Sequence, residues 1–152
     1  MTTPYRKPFS KEMYDLFDAS IKDSLINLLV KNGHTILDSS ESYGADVISS
    51  KDGVIFFSEG EMKSSWKDFW PKDWKEIRIP ERKIKLIEKH GNVDFYIFNK
   101  YMSKCWKINS SLMTSNTIRE VEGRRIAKGE HFFNIPYEKA ELVLLKEDDF
   151  GF

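Results

Sequence analysis

Three residues carry the chemistry this sequence could perform together: Asp46, Glu61 and Lys63. In an extended Val54–Lys63, alternation puts Ile55, Phe57, Glu59, Glu61 and Lys63 on one face. That face starts apolar and ends charged, as in a strand that leaves a core and lines an opening. Glu61 and Lys63 then project side by side. The turn Lys51-Asp52-Gly53 folds the preceding strand back, bringing Asp46 toward Glu61. Two carboxylates in contact repel, and neither ionises readily in a dry site. Mg²⁺, a hard cation that takes oxygen ligands, relieves that repulsion, and Mn²⁺ is the expected substitute. The Met62 backbone carbonyl offers a further oxygen on the same edge. Such an ion polarises a phosphodiester oxygen and activates water. Beside it, the Lys63 ammonium would hold the attacking water or stabilise a pentacovalent phosphate. The expectation is phosphodiester hydrolysis, with Asp46, Glu61 and Lys63 catalytic and with Asp46, Glu61 and the Met62 carbonyl as metal ligands.

The elements that must position these groups are legible around them. Ser10 is an N-cap with Glu12 in the first turn, and Met13, Phe17, Ile21, Leu25 and Leu28 recur at helical spacing until Lys31-Asn32-Gly33 stops the helix. Short extended segments follow at 34–38 and 45–48, then the Val54–Lys63 strand. Trp66, Trp70 and Trp74 stand four apart with Pro71 between, which predicts two short helical pieces over 64–79. Pro80 is expected as the first helical residue before Glu81–His90, closed by Gly91. Strands are expected at Val93–Phe98 and Met102–Ile108, with weaker extended pieces at 117–121 and 130–135; 137–145 suits helix or strand. This order predicts an α/β fold, a mixed central β-sheet flanked by helices. One domain over 1–152 is expected, with its core at 10–108 and 109–152 as a C-terminal extension of it.

The run Tyr43-Gly-Ala-Asp46, a turn, then Val54 through Glu61-Met62-Lys63 resembles the core of the PD-(D/E)XK nuclease superfamily. The layout from the first helix to Val93–Phe98 and Cys105–Ile108 is most similar to archaeal-type Holliday junction resolvases. The resemblance implies a restriction-endonuclease-like core and an endodeoxyribonuclease that leaves a 5′-phosphate, acting on branched DNA as a homodimer. Ala45 stands where the name-giving proline is usual. Resolvases of this type carry an acid on the first helix. Lys22 occupies that position here, so either Glu12, Asp18, Asp23, Glu41 or Glu59 supplies the additional carboxylate or the role is empty. Two alternatives remain open: an inactive nucleic-acid-binding or structural module on the same fold, and a restriction, repair or homing-type endonuclease.

Charge and composition narrow the partners. Twenty-four Lys and Arg balance twenty-four Asp and Glu, which excludes binding of nucleic acid by bulk charge alone. The basic residues are nonetheless clustered. Arg78, Arg82 and Lys83 fall together, residues 95–119 hold Lys100, Lys104 and Lys107 with no acid, and Arg124 and Arg125 form a third group. A basic rim around an acidic notch suits contact with the phosphate backbone of DNA. Trp66, Trp70 and Tyr101 are candidates for stacking on bases, although the tryptophans suit core or subunit-contact positions better. One cysteine and three histidines exclude a disulfide scaffold and a structural zinc site. With no apolar span or leader pattern, an intracellular, cytoplasmic protein off the membrane is expected.

Overall fold

The computed structural model describes residues 11–120 and 129–145, with side chains from residue 19 onward. Helix α1 (Lys11–Lys31) leads into β1 (Thr35–Asp38), β2 (Val47–Lys51) and β3 (Val54–Lys63). Next come β4 (Glu76–Pro80), a 3₁₀ turn at Glu81–Lys83, α2 (Ile84–His90), β5 (Val93–Asn99) and β6 (Lys104–Asn109). β7 (Ile118–Glu120), β8 (His131–Pro136) and β9 (Glu141–Leu144) complete the order. The fold is mixed α/β, with a central sheet flanked by helices. That sheet has six strands in the order β1-β2-β3-β5-β6-β9, and β4-β8-β7 form a separate three-stranded sheet. Among the described residues no helix is long and apolar enough to cross a membrane.

Local chemistry explains the boundaries. Gly33 ends α1 at φ 89°, and the His34 N–H donates to the Leu29 carbonyl at 2.9 Å, closing the last turn. Asp52 and Gly53, at φ 52° and 78°, make the β2–β3 turn with both central residues left-handed, the geometry that matches strand twist. β3 and β5 run parallel from Phe57↔Val93 to Lys63↔Asn99, so the chain must cross between them, and residues 64–92 make that crossing. β5 is buried along its whole length, as its apolar sequence requires of a central strand covered on both faces.

Alternation along β5 divides the core. Tyr96 and Phe98 pack with Leu25, Leu28 and Leu29 of α1, together with Val47 and Cys105. Val93, Phe95 and Ile97 pack on the other face against Ile77 and Ile79 of β4 and Phe133 and Ile135 of β8, with Ile84, Leu86 and Ile87 of the α2 region at the margin. Gly60 marks a close approach of α1 to β3. A Cβ there would lie 2.7 Å from Ile21 Cγ2, so glycine lets the helix seat beneath the acidic end of β3.

The structure departs from the sequence reading over 64–80. No helix forms there; turns lead into β4, and Pro80, at φ −56° and ψ 135°, ends that strand before the 3₁₀ turn. Ile77 and Ile79 alternate with exposed Arg78, a strand period that the four-residue tryptophan spacing masked. The tryptophans fill the core from a loop. Trp66 and Trp70 are buried, with ring centroids 5.1 Å apart at 89°, and Trp106 lies 5.9 and 5.7 Å from them. They therefore pack the core, and Trp70 also borders a surface cavity. Residues 137–145 resolve as a 3₁₀ turn and β9, which pairs with β6 and extends the main sheet.

Candidate active site

The β2–β3 ladder brings the acids together. Val47 pairs with Ser58, so Asp46, one residue earlier, lies across from Glu59. The contact is reciprocal: the Asp46 N–H donates to Glu59 Oε2 and the Gly60 N–H donates to Asp46 Oδ2, each at 2.8 Å. The carboxylate directly facing Asp46 is therefore Glu59. Glu61 and Lys63 follow on the same side of β3, with Lys63 Nζ 3.4 Å from Glu61 Oε1 and donating to the Arg78 carbonyl at 3.1 Å.

Two lysines bracket the carboxylates. Glu59 is 5% exposed, and Lys83, from the 3₁₀ turn before α2, reaches its Oε1 at 3.1 Å. Lys22 of α1 donates to Glu41 Oε2 at 2.7 Å and to the Ser39 carbonyl at 3.0 Å. Glu41 sits in the β1–β2 loop at φ 64° and influences the titration of nearby Asp46. The Lys22 hydrogen bond holds Glu41 below the usual carboxylate range. Asp46 goes the other way, pushed up to about 8 by burial and then by the charge of Glu59. A cleft of about 190 Å³ opens beside this group, lined by Glu59, Glu61, Arg82 and Lys83 over Phe95 and Ile97.

No family model matches this chain, and no curated protein matches it.

The donor chemistry fits a hard divalent cation. Asp46 and Glu59 are neighbouring oxygen donors, and the charge of Glu59 adds to burial in raising the Asp46 carboxyl, which a cation bound there would offset. Among the described residues no three His, Cys, Asp or Glu side chains form a ready ion-binding group. Mg²⁺ commonly uses one or two protein carboxylates and keeps several waters, so two acids suit it. Met62 stands in the ladder between Glu61 and Lys63, paired with Phe98 of β5.

Of the candidate additional acids, Glu59 and Glu41 come to Asp46, while Asp23 is exposed on α1. The Glu12 and Asp18 side chains, and Arg124 and Arg125, lie outside what is described. The basic rim is only partly available. Arg78, Lys100 and the side chain of Arg82 are exposed, although Arg82 pairs with Glu130 at 2.8 Å. Lys107 is half-buried beside the Tyr96 ring. Lys83 is turned inward to Glu59. Lys104 must be withdrawn from the rim: it is 1% exposed, and its ammonium donates to the Asp68 carbonyl. A lysine in a strand with buried neighbours looks the same in sequence whether its tip reaches solvent or a backbone carbonyl. The Glu59–Lys83 bridge had no signal beyond Glu59 sharing the face of Glu61, because it joins residues from different elements.

Proposed function

We propose that this protein is a metal-dependent endonuclease that hydrolyses DNA phosphodiester bonds, with branched DNA as its substrate and a homodimer as its working form. The observation that carries the proposal is that Asp46 meets Glu59 across the β2–β3 ladder and Lys63 meets Glu61, while Glu59 and Glu61 line an open cleft. The order of one helix, three antiparallel strands, then a helix leading to a strand parallel with the third supports it. It keeps the order of helix, strand, hairpin, helix and strand on which the PD-(D/E)XK resemblance rests.

Asp46 and Glu61, with the Met62 carbonyl, would hold the ion, which would supply Lewis acidity toward the phosphate and a more acidic water, while Glu59 fixes Asp46 through its N–H. Lys63, fixed by Glu61 and the Arg78 carbonyl, places an ammonium where charge accumulates on the phosphate oxygens. Exposed Arg82 on the cleft wall would orient the backbone by charge, while Lys83 stays on Glu59. The reaction consumes one water: its oxygen bonds to phosphorus, the bond to the 3′ oxygen breaks, and that oxygen leaves as a hydroxyl carrying the proton. The products are a 5′-phosphate and a 3′-hydroxyl.

A second reading, a nucleic-acid-binding module without turnover, draws on the two lysines that already neutralise Glu59 and Glu41. Cleavage of plasmid and four-way-junction DNA with Mg²⁺ or Mn²⁺, run beside Glu61→Ala and Lys63→Ala, separates the two. Activity that both substitutions lower at least a hundredfold is the expected result. No product under any condition, or equal product from all three proteins, would leave only the binding module.

A further inference from the structure

A second cavity, of about 340 Å³, lies on the far side of Lys63 from the acids and reaches the size range of small-ligand sites. Trp70 and Trp74 make an aromatic corner in it, with rings 5.0 Å apart at 81°. The corner is rigid. The Trp70 Nε1–H donates to the Trp74 carbonyl at 2.6 Å, and Trp66 and Trp106 pack behind Trp70 at 5.1 and 5.7 Å. Trp74 is only half-buried, so a flat ring entering the cavity has an aromatic wall to lie against. Lys63, Lys75 and Arg78 bring three cations to the lining against Asp73 and Glu76, and Glu76 is itself paired with Arg119. An aromatic corner with surplus positive charge selects a planar ring attached to an anion.

We propose that this cavity receives the base of one unstacked nucleotide next to the phosphate that is cut, which makes DNA with an unpaired nucleotide at that position the preferred substrate. The inference rests on the nuclease proposal and deepens it. Lys63 provides the link, since the same ammonium touches Glu61 and lines the cavity. A strand whose phosphate lay over Glu61 would pass Lys63, bringing its neighbouring sugar and base toward the cavity. A base inside an intact duplex cannot enter without leaving its stack, whereas one at a branch, bulge or flap is already free to do so.

The test separates base binding from cutting. In EDTA, where no metal-dependent cleavage can occur, tryptophan emission is followed during titration with 5′-dAMP. Saturable quenching is expected, weakened about tenfold by Arg78→Ala and by Trp74→Leu and unaffected by Lys31→Ala at the end of α1, which packs in the other core cluster. Circular dichroism of Trp74→Leu checks that the core is intact, and exposed Arg78 gives the same answer without touching it. A second arm places 2-aminopurine either unpaired in a one-nucleotide bulge or paired in the matching duplex. Its emission should change on binding only in the bulge, and Arg78→Ala should abolish that change. A protein that cuts DNA but shows no saturable 5′-dAMP binding, or treats bulge and duplex alike, overturns the cavity assignment and leaves the nuclease proposal standing. Nucleotide and bulge binding without cutting upholds the cavity and removes the nuclease.

Discussion

Asp46→Asn tests the electrostatics of the site most directly. In the native protein the Asp46 carboxyl is held at about 8 against an ordinary 3.8, because it is buried against Glu59. The folded state therefore binds a proton that the unfolded chain has released between about pH 4 and pH 8. Stability from this group is complete below the lower value and declines as pH rises through the upper one. At about 1.4 kcal/mol per pKa unit the full interval would amount to about 6 kcal/mol. Lys83 beside Glu59 and solvent in the adjoining cleft screen part of the repulsion, leaving about 2–4 kcal/mol as the expected effect. Asparagine keeps an oxygen to accept from the Gly60 N–H, replaces the acid proton with an amide donor, and carries no charge. The substituted protein should match the native one near pH 4 and exceed it by that margin at pH 9. Urea denaturation in EDTA at several pH values measures this, and other titrating groups cancel in the difference between the two proteins. A difference that does not change with pH, or that favours the native protein more at pH 9, would refute the account of the Asp46–Glu59 pair. Excess Mg²⁺ should reverse the order at pH 9, because only the native protein gains a cation between two ionised acids.

Gly60→Ala should cost about 1–3 kcal/mol in a melt, since its Cβ meets Ile21 Cγ2 at 2.7 Å, and combining it with Ile21→Ala should recover part of that loss. Lys83→Met leaves Glu59 buried beside Asp46 without its cation, so denaturation in EDTA should show a loss of about 3 kcal/mol and Mn²⁺ should raise the melting temperature more than in the native protein. DNA affinity should fall as salt rises, with Lys100→Ala flattening the slope in filter-binding measurements. Lys104→Met should leave that slope unchanged and alter stability, because its ammonium is committed to the Asp68 carbonyl.

Much of the scaffold was legible because its signals are local. The spacing of Ile21, Leu25 and Leu28, the stop at Gly33 and the Asp52-Gly53 turn each depend on neighbours within a few residues, and α1 and the β2–β3 hairpin formed where those signals lie. The period of two along β3 put Glu59 and Glu61 on the side of the cleft, but burial along that face runs opposite to the expected order, with Ile55 exposed and Glu59 buried. The tryptophan spacing misled for a related reason: periodicity reports the burial of a face only inside a regular element, and Trp66, Trp70 and Trp74 enter the core from turns.

What the sequence by itself determined is the hairpin that carries the acids and the helix that backs it, because turn stereochemistry and hydrophobic period act over a handful of bonds. Only the tertiary structure decided which acid faces Asp46, which lysines neutralise the group, and that Lys104 points inward. Those pairings join residues far apart in the chain, such as Glu59 with Lys83 and Lys22 with Glu41. Their energies depend on strand register and burial, which exist only once the sheets and helices have packed.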